Sequence, residues 1–331
     1  MHIFVTGATG VLGNAVVPQL VAADHHVRAL SRSENNVEVL RRLGAEPVST
    51  DLFDEASLKQ AFAGSEVVLH LATHIPPTSQ MGRRSAWEQN DRIRSGGTRN
   101  LATAAMAVGV HTLLYPSVCL AYPDSGDRWI DASTTSVQAH VLQQSTLDAE
   151  AEVARFAGQD RRGIVLRMGA FYGPESSQTR EQLRYARMGI AAFPGPGAAY
   201  LSQIWIQDAS SAVVAALTQV PSGIYDIVDD EPLTRRDLFT AMAQSIGRHW
   251  LFPLPGPVMR LMTGAAADLL SRSQRVSNRR FKALTGWQPA VPDAWVGWKR
   301  IAEVSRTGGV QRETASVDHQ MGIDSRHNKH F

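Results

Sequence analysis

Three glycines, Gly7, Gly10 and Gly13, punctuate the run Thr6-Gly7-Ala8-Thr9-Gly10-Val11-Leu12-Gly13. The run follows a short apolar strand, His2–Thr6, and opens a helix expected over Val11–Ala23. In that context Gly7 permits a tight turn, Gly10 lets a pyrophosphate approach the backbone, and Gly13 allows the helix to pack closely. Thr9, Val11 and Leu12 complete the turn, and the helix start offers free N–H groups and a positive dipole end to phosphate. The chemistry implied is dinucleotide binding, against the plainer reading of a structural turn. The second strand ends in Ser31-Arg32, where an NAD site carries an acidic residue for the ribose 2′-hydroxyl. A guanidinium there attracts a 2′-phosphate, so NADP is expected, with NAD as the alternative. Asp51-Leu52, just after the third strand, can meet the adenine edge, whereas Asp54 reads as an ordinary helix cap.

These groups must be held by alternating elements. Strands are expected at His2–Thr6, His26–Ser31, Pro47–Thr50, Glu66–Ala72, His111–Ser117, Gly163–Met168 and Gly223–Val228. Helices are expected over Val11–Ala23, up to Arg42, over Glu55–Ala63, over Arg84–Val108 as one long helix, and over Val137–Phe156. Strand-then-helix alternation predicts an α/β fold with a Rossmann-type doubly wound parallel sheet. The expected division is a nucleotide-binding domain over residues 1–170, to which strand 223–228 returns. A mainly substrate-binding segment over 171–303 follows, then an unstructured tail over 304–331.

Composition narrows the function classes. The chain has 331 residues, enough to bury a core without disulfides. The balance of 33 basic and 31 acidic residues argues against a nucleic-acid surface. A single cysteine, Cys119, excludes a disulfide framework and a Cys-rich metal site. The tail histidines His319, His327 and His330 fit no ligand spacing, so no metal is expected. The absence of an apolar run of ~18 residues or a signal-peptide pattern leads to the expectation of a cytoplasmic protein away from membranes. The partners expected are a small-molecule substrate and no nucleic acid, with a homodimer left open.

Further motifs extend the reading. His70-Leu71-Ala72-Thr73 ends the fourth strand, Gly97-Thr98-Arg99-Asn100-Leu101 lies on the long helix, and Ser117 follows the fifth strand. Arg167–Pro174, Trp205-Ile206-Gln207-Asp208, Gly223–Val228 and Leu284-Thr285-Gly286-Trp287-Gln288-Pro289 come later in order. Together with the glycine turn, these resemble the extended short-chain dehydrogenase/reductase family, also called NAD-dependent epimerase/dehydratases, up to about Ile301. The resemblance implies a smaller C-terminal substrate domain and places Leu71, Ala72, Thr73 and Ser117 beside the cofactor. It also implies a Ser or Thr four residues before a loop Tyr, and a Tyr-x-x-x-Lys pair on the next helix. In that mechanism Tyr moves the carbonyl proton, Lys lowers its pKa and holds the ribose, and Ser or Thr orients the substrate oxygen.

The chain departs from that pattern. Four residues before Tyr122 stands Val118; the Tyr position holds Leu142 and the Lys position Thr146. None of the six tyrosines is followed four residues later by Lys, and no lysine lies between Lys59 and Lys282. Four residues are candidates for the lost chemistry: Ser117 at the strand end, Tyr122 as the nearest phenol, His140 before the altered helix, and His74 in the loop after the fourth strand. Each has a plainer role: a strand-end hydrogen bond, a structural phenol, and surface imidazoles. Cys119 reads as a small buried hydrophobe, and Trp205, Trp287, Trp295 and Trp298 as core packing. Three functions stay open: an NADP-dependent oxidoreductase acting on a small carbonyl, sugar-like or natural-product substrate with non-standard catalytic residues, a non-redox isomerase, lyase or cyclase on the same fold, and a non-catalytic nucleotide-sensing regulator.

Overall fold

Val67–His70 and Thr112–Val118 are buried along almost their whole length, as strands covered on both faces of a parallel sheet must be. In the computed structural model, which describes residues 1–76, 80–138 and 140–306, seven strands form one sheet. They are β1 (His2–Thr6), β2 (His26–Ser31), β3 (Glu46–Ser49), β4 (Val67–His70), β5 (Thr112–Val118), β6 (Arg162–Met168) and β7 (Gly223–Ile227). Their order is β7-β6-β5-β4-β1-β2-β3, and every neighbouring pair is parallel. The expected Rossmann-type fold is therefore present, and the late strand does return to the sheet. The order reverses between β1 and β4, the place where ligands bind outside the carboxyl ends of such sheets.

Helices α1 (Val11–Ala22), α2 (Glu34–Arg42), α3 (Glu55–Phe62), α4 (Thr98–Ala107), α5 (Gln144–Phe156) and α6 (Ile206–Gln219) cover the two faces. One core joins α1 and α6 to the sheet through Val16, Leu20, Val213 and Leu217. The other joins α3, α4 and α5 through Phe62, Leu101, Val153 and Phe156. A separate core around Tyr172, Leu183, Trp205, Leu238, Met242 and Trp298 holds the second lobe. Segment 171–303 therefore serves both lobes, because α6 packs on the nucleotide side.

Several local expectations change. The long helix over Arg84–Val108 is continuous but not uniform: a 3₁₀ turn (Arg84–Trp87), one α-turn (Glu88–Asp91) and a π turn (Arg92–Gly97) precede α4. The Gly96-Gly97 pair leaves the backbone free to take up the wider turn, and Gly97 seats against Leu52, where a Cβ would lie 2.7 Å from Leu52 Cδ2. The helix expected from Val137 begins at Val141 as a 3₁₀ turn. The Gln138 N–H instead donates to the Ala121 carbonyl, and His140 caps the turn. The final helix runs over 294–306, so the tail cannot start at 304; residues 307–331, with His319, His327 and His330, lie outside the described residues. The tryptophans do not form one cluster: Trp205 and Trp298 sit in the second lobe, Trp287 in the first, and Trp295 is exposed. Among the described residues no helix is long and apolar enough to cross a membrane, and no group of three His, Cys, Asp or Glu could hold a metal.

Candidate active site

The glycine turn is built by close backbone contacts. Gly7 has φ +74°, and a Cβ there would lie 2.4 Å from the Ala72 nitrogen at the end of β4. A Cβ on Gly13 would meet the Gly7 and Ala8 carbonyl oxygens at 2.3 and 2.5 Å, so the missing side chain lets the helix start close against the turn. Around Gly10 only the Gly7 carbonyl comes near, at 3.2 Å, which leaves its face open. Helix α1 starts with no side-chain cap and no acidic residue in its first turn. Thr9, half-buried, and Val11, exposed, flank an opening in which unpaired N–H groups fit a pyrophosphate. Leu12 turns inward to the core.

At the end of β2, Ser31 is buried and its hydroxyl donates to the Ser33 carbonyl at 3.0 Å. Arg32 is exposed beside it and lines a groove of about 380 Å³ with Ser33, Arg41, Pro47, Ser49 and the carboxylate Glu34. Neither Arg32 nor Arg41 makes an ion pair among the described residues. Asp51 is exposed, with one carboxyl oxygen accepting from the Phe53 N–H at 3.0 Å, and Leu52 is buried. After β4, Leu71 is buried, Ala72 backs Gly7 and Thr73 is exposed.

The β5 side is organised by buried polar pairs. Strand register aligns Ser117 with Arg167, and Arg167 with Asp226. Glu150 on α5 closes over this row. It accepts from the Ser117 hydroxyl at 2.5 Å and from Arg167 Nε and Nη2 at 3.0 and 2.6 Å. Arg167 also stacks over the Tyr122 ring, 4.9 Å from its centroid. Ser117 is thus brought to the expected strand end but is committed to a carboxylate. Tyr122 is fully buried, and its hydroxyl donates to Asp226 at 2.7 Å. Burial and that carboxylate push the phenol well above its usual range, so Tyr122 is a core anchor and not an available proton donor. Asp226 is itself pushed up to about 7, chiefly by burial. Cys119 is buried, its thiol raised by burial and bonded to the Arg167 carbonyl at 3.2 Å.

The histidines separate. The His140 Nδ1 accepts from the Leu142 N–H at 3.2 Å and caps the 3₁₀ turn; burial lowers its pKa. His74 is exposed, and its backbone N–H donates to Asn90 Oδ1 at 3.2 Å. Leu142 packs with Ala266 and Leu269 of the second lobe and is 3% exposed. An aromatic ring there would have to displace both. Thr146 is buried and accepts from Arg94.

Two residues were given no role of their own by the sequence reading, although His70 stood in the motif that ends the fourth strand. His70, at the end of β4, is fully buried with Nδ1 2.7 Å from Thr6 Oγ1 and its ring stacked on Tyr115 at 5.8 Å. Burial lowers it to about 4, so it stands as a neutral imidazole. Arg94 lies on the π turn and donates to Asn90, Tyr115 and Thr146. The Asn90/Arg94 spacing of four on a helix face was the available signal, but no local pattern showed what they would meet.

Comparison with known proteins agrees with this geometry. Residues 1–141 match the NmrA-like family. A 3-diazoavenalumate denitrifying reductase from a Streptomyces species is 30% identical over 306 residues, covering 88% of this chain and 97% of the relative. A 2-alkyl-3-oxoalkanoate reductase from Shewanella oneidensis is 26% identical, covering 84% and 74%. Among solved structures, the human epimerase family protein SDR39U1 with NADPH superposes with a TM-score of 0.78 at 23% identity, covering 92% of this chain and 99% of that one. The glycine cradle, the seven-stranded order and the near full-length relative lead to one assignment: the chain belongs to the extended short-chain dehydrogenase/reductase, or NAD-dependent epimerase/dehydratase, family, as an atypical member without the Tyr-x-x-x-Lys pair.

Proposed function

We propose that this chain is an NADP(H)-dependent reductase that delivers hydride to an acceptor already poor in electrons, and not to an ordinary ketone. The observation that carries the reading is Leu142, buried under Ala266 and Leu269 where a proton-donating phenol would stand. Val118 offers no hydroxyl, and Tyr122 is locked to Asp226. Hydride addition to a ketone leaves an alkoxide that needs a proton, and general acid catalysis typically supplies ~10²–10⁴-fold there. An acceptor whose product anion is stabilised, or that carries positive charge, needs only orientation.

The diazo group named in the Streptomyces relative is such an acceptor. Hydride added to the terminal nitrogen of an aryl diazonium gives an aryl diazene. Loss of N₂ moves that hydrogen to carbon, and NADP⁺ is the other product. The preference for NADP rests on Arg32 and Arg41 beside the β2 end.

The test is loss of reduced-nicotinamide absorbance with NADPH and NADH over a panel of aryl diazonium salts, quinones, activated enones and simple ketones. Turnover confined to the activated acceptors, faster with NADPH, is the expected result. Robust turnover of a simple ketone would overturn the reading. Tight NADPH binding without turnover of any acceptor would favour a nucleotide sensor, for which the apolar packing of Leu142 would be a plug.

A further inference from the structure

Arg94 is 4% exposed, yet none of its hydrogen-bond partners among the described residues is charged. Its Nε donates to Asn90 Oδ1 at 3.4 Å, and Nη1 to Tyr115 Oη and Thr146 Oγ1 at 2.8 and 3.0 Å. The carboxylates nearby in the chain and on the facing helix are engaged elsewhere. Asp91 accepts from Ser145 and Arg84, each at 2.6 Å, and Glu150 is held by Arg167 and Ser117. Arg94 makes no ion pair among the described residues. Burying a cation without an anion costs several kcal/mol, and a fold retains such a group where something else uses its charge.

Its position says what that is. The π turn presents the guanidinium to the faces of β5 and α5, next to the β4 end where His70 stacks on Tyr115. This is the carboxyl edge of the sheet beside the switch point, where a bound dinucleotide must pass. Thr146, which Arg94 contacts, is the residue aligned with the absent lysine. Because the Thr146 oxygen accepts from Arg94, the Thr146 proton is left to donate to another oxygen.

We propose that Arg94 is a positioning residue that brings to this site, from the π turn, the positive charge that no lysine supplies, and that it acts on the bound dinucleotide through the Thr146 hydroxyl. The inference rests on the dinucleotide reading above but not on any substrate. Its consequence is that one cation, and only one, fits between α5 and the π turn.

The experiment is a cycle of Arg94→Gln, Thr146→Lys and the double variant, with Arg94→Lys alongside, read by thermal unfolding and by NADPH titration. Thr146→Lys alone places two cations in one buried site and lowers Tm by several degrees; in the Arg94→Gln background the same substitution is neutral or raises Tm. Arg94→Gln weakens NADPH binding about tenfold, near the loss of one hydrogen bond to a charged group. The double variant recovers most of that, and Arg94→Lys lies between. A merely structural Arg94 would make Thr146→Lys equally costly in both backgrounds and leave NADPH affinity unchanged in every folded variant, which would overturn the proposal. Should Arg94→Gln not fold, Arg94→Lys against Thr146→Lys decides, because the first keeps one cation and the second makes two. Failure of the wild type to bind NADPH would refute the dinucleotide reading, and the proposed action on NADPH with it, while the Tm arm would still report whether the site holds a single cation.

Discussion

The β1–α1 turn and the β5–α5 junction lie on the same edge of one sheet and are built on opposite principles. The turn works through missing side chains: Gly7 against Ala72, an open Gly10, and an uncapped helix start. Its function needs backbone amides at a given place, and any sequence with the right glycines provides them. The β5–α5 junction works through side-chain identity. There Glu150, Arg167, Ser117, Tyr122 and Asp226 are paired with one another, and Leu142 is packed under the second lobe. A cradle of backbone outlasts changes of chemistry, whereas a catalytic constellation can be rewired while the fold stands.

The largest expected effect breaks the second region. Arg167→Met leaves Glu150 buried without the cation that holds it, and should cost about 3–5 kcal/mol of stability, read from urea unfolding. A loss under about 1 kcal/mol would mean that the network is incidental. On the other side, Gly10→Val should leave the fold intact, since only the Gly7 carbonyl is near. It should nevertheless weaken NADPH binding by at least about a hundredfold, or ~2.7 kcal/mol. Normal binding by a folded Gly10→Val protein would put the phosphate site elsewhere. Arg32→Ala should cost about 1.5–3 kcal/mol in NADPH affinity and little in NADH affinity; equal losses for both would remove the 2′-phosphate contact.

The smallest effect sharpens the comparison, because the two regions titrate in opposite senses. His70, at the cofactor end of β4, is lowered from 6.5 to about 4. The unfolded chain therefore binds a proton that the folded one refuses. Its contribution is present above pH ~6.5 and is lost as pH falls toward 4, by about 2 kcal/mol between pH ~7.5 and ~5. Asp226, at the β5 side, is raised to about 7, so the folded state holds a proton that the unfolded chain releases, and its contribution grows as pH falls from ~7 toward 4. The wild type should show a flattened acid limb. His70→Gln should be relatively more stable at pH ~5 than at ~7.5, whereas Asp226→Asn should steepen the acid loss. Equal slopes in all three proteins would contradict the burial of both groups.

The sequence by itself determined what repeats or is local. Apolar runs alternating with amphipathic ones specify strands and helices, glycine spacing specifies the turn, and the missing lysine between Lys59 and Lys282 is legible by counting. Tertiary structure alone decided which side chains meet. Arg94 and Thr146 are 52 residues apart, Ser117 and Glu150 are 33, and Tyr122 and Asp226 are 104. Those contacts follow from the order β7-β6-β5-β4 and its register, which no window of a dozen residues carries. The π turn that aims Arg94 and the second-lobe helix that covers Leu142 belong to the same class. Local propensity acts over a few residues, whereas charge burial and steric exclusion act between elements only once the sheet has brought them together.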